Sequence, residues 1–247
     1  MKKIELSDRQ IENASELLKK HKTYSSFSQN KSDAYAFTKI IGVKICPYCN
    51  INYISTIISG KKKILRPDID HYFCKSKHPR FQLCLYNLIP SCLTCNERLK
   101  GNADFMKVPH AHPYFHDFDS LMHFCVELRQ SNDYLDEKNL EISFSPYKNE
   151  SKSLQNRANN NIETFKLKER YQVHADQVID LFKKAKFYWK AKKTEISRLL
   201  YGNSMELSNW SYSAIERILF PEKDCDINQV SFGKLKKDII NRYCLKK

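Results

Sequence analysis

Two short stretches decide how this chain folds: Cys46-Pro-Tyr-Cys49 and Cys92-Leu-Thr-Cys95. They stand 42 residues apart, and each has the spacing of a metal-binding knuckle. The two-residue gap lets both sulfurs of a pair face one ion, and two pairs supply the four ligands that tetrahedral zinc prefers. The spacing predicts a structural Zn²⁺ site on Cys46, Cys49, Cys92 and Cys95, the alternative being two separate pairs of buried thiols. Four protein ligands leave no open position, so we expect this site to stabilise the fold without doing chemistry.

The composition favours a polyanionic partner and a reducing compartment. In 247 residues, 42 Lys and Arg stand against 28 Asp and Glu, a net charge of +14. Such an excess favours a nucleic-acid partner, because basic side chains release the counterions condensed on phosphate. A need for solubility alone is the alternative explanation of the basic charge. Nine cysteines, an odd number, fit reduced thiols and a metal better than disulfides. Without a signal peptide or an apolar run near the ~20 residues of a membrane helix, we expect a cytoplasmic protein with no membrane partner.

Apolar periodicity predicts an α+β fold. Residues 7–21 open with a capping box, Ser7 and Gln10, and a second helix over 33–41 is expected to end at Gly42. Strands are predicted at 51–58, 64–73, 87–90, 121–128 and 140–145, a helix begins at 94–99, and a last helix covers 232–243. Polar stretches then divide the chain into N-terminal helices (1–43), a zinc-stapled core (44–120), a β-hairpin extension (121–150) and a C-terminal helical region (151–247).

Acidic, basic and amide side chains recur between and just beyond the cysteine pairs. Asp70 and His71 are adjacent, and Asn87 and Asn96 follow. Phosphodiester hydrolysis needs a base that activates water and a cation that stabilises charge on phosphate. His71 suits the first task because its pKa lies near neutral, and Asp70 and Asn96 offer oxygens to Mg²⁺ or Mn²⁺. An adjacent Asp-His pair on its own is more often structural. The hypothesis of a hydrolytic metal site therefore rests on the spacing of all four residues.

This order of strand, Asp-His, loop, Asn and helix inside a zinc staple resembles the HNH endonucleases over roughly residues 44–102. The resemblance implies a ββα-metal nuclease core with His71 as general base, Asp70 as a metal ligand and Asn87 as the residue that orients the base. Asn96 stands where the family name has a final His and still offers an oxygen to the metal. Lys100 matches a basic residue one helical turn further on and is a candidate phosphate contact.

A wider resemblance covers most of the chain on softer motifs, His112-Pro-Tyr-Phe and Glu163-Thr-Phe-Lys-Leu-Lys-Glu-Arg170. In these motifs the chain is similar to the HNH subunits of Septu-type and retron-associated anti-phage defence systems. The resemblance implies a partner ATPase subunit or a complex of a retron reverse transcriptase with its DNA. Three histidines in this region, His110, His112 and His116, are candidates for a second metal site, but packing in a Pro-rich loop is the stronger interpretation.

Candidate nucleic-acid contacts are the lysines near the catalytic strand and on the C-terminal helices. Those near the strand are Lys61, Lys62 and Lys63, and those on the helices include Lys186 and Lys190. Lysines on a helix can contact a nucleic-acid backbone or form a solvated face.

Three other functions compete with a DNA nuclease. HNH chemistry attacks phosphorus and needs no 2′-hydroxyl, so RNA such as tRNA is an alternative substrate. A zinc-stabilised binding module without catalysis is a second alternative, which the intact Asp70, His71, Asn87 and Asn96 argue against. A free-standing restriction or homing enzyme is the third, and it needs a sequence-reading element that the C-terminal helices do not obviously supply.

Overall fold

The computed structural model describes residues 1–129, 137–187, 217 and 219–245. The chain forms two compact units and has a mixed α+β architecture with small sheets. The first unit comprises Met1–Met122, Pro146–Leu167 and Ile227–Ser231, and the second comprises His123–Ser145, Lys168–Asp226 and Phe232–Lys247. No helix among the described residues is long and apolar enough to cross a bilayer.

Three helices open the first unit: α1 (Asp8–Lys19), α2 (Tyr24–Gln29) and α3 (Lys31–Ile41). The predicted capping box is present, because Ser7 and Gln10 each bond to the other's backbone. α3 ends at Gly42, whose φ of 71° lies in the left-handed region, where glycine is strongly favoured. These two predicted helices are confirmed, whereas the short α2 was not predicted.

Two small antiparallel strand pairs follow. β1 (Ile57–Ser59) pairs with β2 (Lys62–Leu65), and β3 (Asp68–His71) pairs with β4 (Leu88–Ser91). The prediction of one strand over 64–73 is wrong: the chain leaves one sheet after Leu65 and enters another at Asp68. Pro67 stands at the break, where its missing N–H and its restraint on the preceding residue interrupt a strand ladder.

The predicted strand over 51–58 is also largely wrong, because of its residues only Ile57 and Ile58 lie in β1, and Tyr53 forms an isolated bridge with Ile45. Beyond β4 the predicted helix is present, but as a π-helix, Thr94–Lys100. The N–H of Gly101 bonds to the carbonyl of Asn96, five residues back, at 2.9 Å. This wider turn brings Cys95 and Lys100, five residues apart, both into the interior.

The first unit is completed by α4 (Phe118–Leu121) and α5 (Lys152–Thr164). The second unit contains the pair of strands β5 (Met122–Leu128) and β6 (Leu140–Pro146), as predicted, and the helices α6 (Leu167–Gln172) and α7 (Ala175–Phe187). It ends in α8 (Gly233–Ile239), which continues into a π-helical turn, Ile240–Cys244, in agreement with the predicted last helix.

Candidate metal cluster and catalytic cleft

The first cysteine pair lies in a tight turn closed by its own backbone. The N–H of Asn50 bonds to the carbonyl of Cys46 at 2.8 Å, and the N–H of Cys46 bonds to the carbonyl of Asn52 at 2.9 Å. Asn50 has a left-handed φ of 54°, which asparagine tolerates better than most residues. Its side chain donates to the carbonyl of Ile227 at 2.6 Å. These bonds fix the turn that presents Cys46 and Cys49.

The second pair joins the first to form a closed cluster. Cys92 follows β4 directly, and its N–H bonds to the sulfur of Cys46 at 3.4 Å. The four Sγ atoms of Cys46, Cys49, Cys92 and Cys95 lie within 4.8 Å of one another, and all four residues are buried. A tetrahedral zinc with Zn–S bonds of about 2.3 Å needs sulfurs roughly 3.8 Å apart, so the cluster fits the ion. This buried group can hold a structural metal such as zinc.

The thiols of this cluster depend strongly on one another. Burial raises the pKa of Cys46 well above its usual range, whereas hydrogen bonding from Cys46 lowers the pKa of Cys49 to about 7. Hydrogen bonding from Cys46 also holds the pKa of Cys92 far below normal. Several buried thiolates repel one another, so a divalent cation at their centre favours the deprotonated form of the whole group.

Among the His, Cys, Asp and Glu side chains of the described residues, the four cysteines are the one group of three or more close enough to share an ion. His110 instead stacks on Phe105, with ring centroids 3.6 Å apart, and its ring nitrogens lie 2.6 Å from the carbonyl of Val108 and 2.8 Å from Thr164 Oγ1. His112 and His116 accept hydrogen bonds from backbone N–H groups through Nδ1. The three histidines therefore have packing and hydrogen-bonding roles here.

β3 and the π-helix carry four of the predicted site residues into one cleft, and Asn87 is not part of its lining. In the strand register Asp70 lies opposite Ile89 and His71 opposite Leu88, while Asn87 immediately precedes β4. A cleft of about 440 Å³ is lined by Asp70, His71 and Lys100 together with Asn96 of the π-helix and Asp68 of β3. The structure therefore brings Asp70, His71, Asn96 and Lys100 together, although β3 is paired with β4 and not with the preceding strand.

His71 is held in a defined orientation. Its Nε2 lies 3.1 Å from the carbonyl oxygen of Gln82. Since a carbonyl only accepts, Nε2 carries the proton in this bond, which leaves the lone pair on Nδ1. The ring of Tyr24 packs edge-on against the imidazole with centroids 4.2 Å apart. Burial lowers the pKa of His71 to about 4, although the Gln82 carbonyl and Asp70 oppose this shift. The imidazole is therefore neutral at pH 7, and its pKa lies below the near-neutral value expected from the sequence.

Asn87 fixes the loop that supplies this carbonyl. Its Oδ1 accepts from the N–H of Phe73 at 2.7 Å, and its Nδ2 donates to the carbonyls of Phe73 (3.2 Å) and Phe81 (3.0 Å). The side chain thus bridges the two ends of the loop between His71 and Gln82. The HNH resemblance implies an orienting role for Asn87, and these hydrogen bonds are compatible with it.

Asp70 is the centre of a buried polar network. One carboxylate oxygen accepts from the hydroxyl of Tyr48 at 2.6 Å, and the other accepts from Lys100 Nζ at 2.9 Å. Lys100 Nζ also bonds to the carbonyl of His71 at 2.6 Å. Both charged side chains are almost completely buried, at 4% and 1% exposure. Lys100 was predicted as a candidate phosphate contact. In the structure its ammonium is engaged inside the protein by Asp70 and the carbonyl of His71, because the π-helix turns it inward.

Asp68 and Asn96 bring further side-chain oxygens to the cleft. Asn96 Nδ2 lies 3.5 Å from a carboxylate oxygen of Asp68, and both residues are half-buried. Each carboxylate oxygen of Asp70 accepts one hydrogen bond and keeps a second lone pair. Asp68, Asp70 and Asn96 are hard oxygen donors of the kind that Mg²⁺ and Mn²⁺ prefer, so the donor set fits such an ion.

The residues of this site that were not identified from the sequence include Tyr24, Tyr48, Asp68 and Gln82. Tyr48 is one of the two residues between the first pair of cysteines, and its position there was the one available signal. Asp68 precedes Asp70 by two residues in a strand, so both side chains share a face. Nothing in the sequence pattern indicates Tyr24, which reaches the site from α2.

The predicted nucleic-acid lysines are spread over both units. Lys61 and Lys62 are exposed at the turn between β1 and β2, whereas Lys63 is half-buried and bonds to the hydroxyl of Ser32. Lys186 is exposed on α7 of the second unit, and Lys190 lies outside the described residues.

No family model matches this chain, and neither the curated proteins nor the solved structures contain a match to it.

Proposed function

We propose that this chain is a metal-dependent HNH endonuclease that hydrolyses phosphodiester bonds in DNA. The observation that carries the proposal is the setting of His71, whose Nε2 is bonded to the Gln82 carbonyl while the ring lines a cleft with acidic oxygens. A neutral imidazole fixed through one nitrogen keeps the other as a base. The position of the four-cysteine cluster around this strand pair and helix supports the same family.

In the proposed mechanism, Nδ1 of His71 takes a proton from a water molecule that attacks phosphorus in line with the leaving oxygen. The Gln82 carbonyl then stabilises the imidazolium through Nε2–H, and the nearby Asp70 carboxylate adds a favourable charge. Asn87 keeps the Gln82 carbonyl in place by bonding to Phe81 and Phe73. Lys100 positions Asp70 and the backbone of His71.

The metal that the family implies would be held by Asp70 and Asn96, with Asp68 beside them. When bound, Mg²⁺ or Mn²⁺ supplies charge stabilisation for the phosphate oxygens. The chain orients the base independently of the ion, because His71 Nε2 bonds to the Gln82 carbonyl and Asn87 Nδ2 bonds to the carbonyl of the preceding residue, Phe81.

The proposal includes a place in an anti-phage defence complex beside a partner ATPase. This part rests on the resemblance of the segments around His112 and Glu163 to such subunits. The basic charge of the chain is compatible with a nucleic-acid target in that setting.

The test is cleavage of plasmid DNA and of total tRNA in Mg²⁺ or Mn²⁺ by the full chain, purified alone and with its neighbouring gene products. His71→Ala should lower cleavage by about 10²–10⁴, and the matched control His21→Ala should leave it unchanged. His21 belongs to the same unit and pairs with Asp33 at 2.8 Å, but it does not line the cleft. Cleavage of tRNA alone would establish the RNA alternative, and no cleavage by any preparation that retains zinc would favour the inert module.

Cleavage that needs the neighbouring gene products would support the defence complex. Full cleavage by His71→Ala with normal folding would refute the assignment of the base.

A further inference from the structure

The loop that follows His71 also lines a second pocket. It has a volume of about 420 Å³, within the range of small-molecule sites, ~300–1,000 Å³. Aromatic side chains dominate its lining: Tyr72, Phe73, Phe81, Tyr86, Phe105 and Phe115. We call this cavity the aromatic pocket.

The rings of the aromatic pocket come from two segments of the chain. Phe73 and Phe81 contact each other from the two ends of one loop, with centroids 5.6 Å apart. Phe115 contacts Tyr86 at 5.2 Å and His112 at 4.6 Å. Phe115 is 59% exposed and Phe81 is 38% exposed, so large ring surfaces face solvent. Exposed aromatic faces of this kind are platforms on which a flat ring can stack.

The polar groups of the aromatic pocket are cationic or neutral. Arg157 lines it, and its guanidinium makes a long hydrogen bond of 3.5 Å to the carbonyl of His110. A guanidinium has five N–H donors, so donors remain for an anion. Burial lowers the pKa values of His112 and His116, which keeps both rings neutral at pH 7. No Asp or Glu of the described residues lines this pocket, whereas Asp68, Asp70 and Glu97 line the catalytic cleft.

The aromatic pocket and the catalytic base share one segment of chain. Tyr72 and Phe73 directly follow His71, and Phe81 precedes the Gln82 carbonyl that holds the imidazole. Asn87 lines the pocket and bonds to both Phe73 and Phe81. A ligand in this pocket therefore lies against the residues that position His71.

We propose that the aromatic pocket binds an unpaired nucleobase of the nucleic-acid strand, with Arg157 contacting an adjacent phosphate. A base inside a duplex is covered by its neighbours and cannot enter such a pocket, so the base comes from a single strand or is turned out of the duplex. The inference rests on the proposed nuclease function and adds a substrate class to it: a strand that is unpaired beside the cleavage site.

The test measures binding separately from cleavage. Binding of fluorescently labelled single-stranded DNA to the full-length His71→Ala chain is followed by anisotropy, beside the matching duplex and oligonucleotides with one abasic position. We expect the single strand to bind more tightly than the duplex, and one abasic position to weaken binding about tenfold, the lower part of the range for loss of one stacked base.

Phe115→Ala should weaken binding of the intact single strand by a similar factor and remove the effect of the abasic position. Phe115→Trp should restore both. The matched control is Val108→Ala, since Val108 is 52% exposed in the same segment but does not line the pocket. Circular dichroism confirms that each variant is folded.

Equal binding by Phe115→Ala and Val108→Ala would overturn the proposal, as would equal binding of single strand and duplex. AMP binding that depends on Phe115 while the oligonucleotide is unaffected would assign the pocket to a free nucleotide and overturn the strand assignment. If the wild-type chain cleaves nothing in any preparation but binding still depends on Phe115, the proposed nuclease function is refuted and the proposed base-binding pocket stands. If the chain cleaves nucleic acid but binding does not depend on Phe115, only the proposal for the pocket is refuted.

Discussion

The four-cysteine cluster and the catalytic cleft occupy the same stretch of chain, but they are built in opposite ways. The cluster has four identical side chains, all buried and facing one another within 4.8 Å. The cleft combines an acid, a base, an amide and a lysine, and its key groups are already bonded to protein atoms. We therefore expect the cluster to depend on a bound metal for its stability, whereas hydrogen bonds within the protein arrange the cleft. Stability and chemistry should respond separately to mutation.

The largest effect should follow from breaking the cluster. Cys95→Ser removes one buried ligand, and structural zinc contributes about 10–16 kcal/mol in zinc-finger peptides. We expect the first unit to lose its cooperative unfolding transition and its bound zinc, measured by circular dichroism and elemental analysis. The matched control is Cys84→Ser, because Cys84 is exposed and outside the cluster. A Cys95→Ser chain that stays stable and binds zinc would show that the four-cysteine cluster does not stabilise the first unit.

A smaller loss of stability should follow from breaking the ion pair beneath the cleft. Lys100→Met leaves Asp70 as an uncompensated buried charge, which costs about 3–5 kcal/mol. The double variant Asp70→Asn/Lys100→Met removes both charges and should recover much of this loss. Urea unfolding measures both variants, and zinc content should stay unchanged. An unaltered unfolding free energy in Lys100→Met would contradict the buried network.

Removing Asn87 should cost less stability and still impair cleavage. Asn87→Ala deletes three hydrogen bonds, each worth about 0.5–1.5 kcal/mol. The loop that carries the Gln82 carbonyl then loosens, so we expect the cleavage rate to fall while zinc stays bound. Rates and melting curves on the same preparation separate the two effects. Wild-type cleavage by a destabilised Asn87→Ala chain would show that the loop does not position the base.

The smallest expected effect is a loss of stability at acid pH that arises from the burial of His110. Burial lowers the pKa of His110 to about 4, whereas the unfolded value is about 6.5. The unfolded chain therefore takes up a proton that the folded protein does not, so stability is lost as pH falls from about 6.5 to about 4. His110→Gln removes this contribution. The difference in unfolding free energy between wild type and variant should be constant above pH 7 and change below pH 6.5. A difference that stays constant down to pH 4.5 would exclude a contribution of His110 to the pH dependence of stability.

The sequence predicts the cluster better than the cleft, for physical reasons. Two cysteines two residues apart form a knuckle through local backbone geometry, and the capping box and Gly42 are equally local signals. The pairing of β3 with β4 depends on partners about 20 residues apart and on the break at Pro67, which strand propensity over 64–73 did not reveal.

The side-chain partners of the cleft were harder still to predict. The position of Lys100 follows from the π-helix, whose hydrogen-bond spacing is not readable from residue types. Tyr48 and Tyr24 reach Asp70 and His71 from other elements, so only the tertiary arrangement identifies them.

The most direct test of the account measures zinc content, unfolding and phosphodiester cleavage in parallel for the wild type, His71→Ala and Cys95→Ser, with Mg²⁺ and any required neighbouring gene products present. The account predicts that His71→Ala keeps its zinc and its unfolding transition while cleavage falls by about 10²–10⁴. Cys95→Ser should lose zinc, folding and cleavage together. Undiminished cleavage by a folded, zinc-bound His71→Ala chain would contradict the central claim that the cleft does the chemistry and the cluster only holds it.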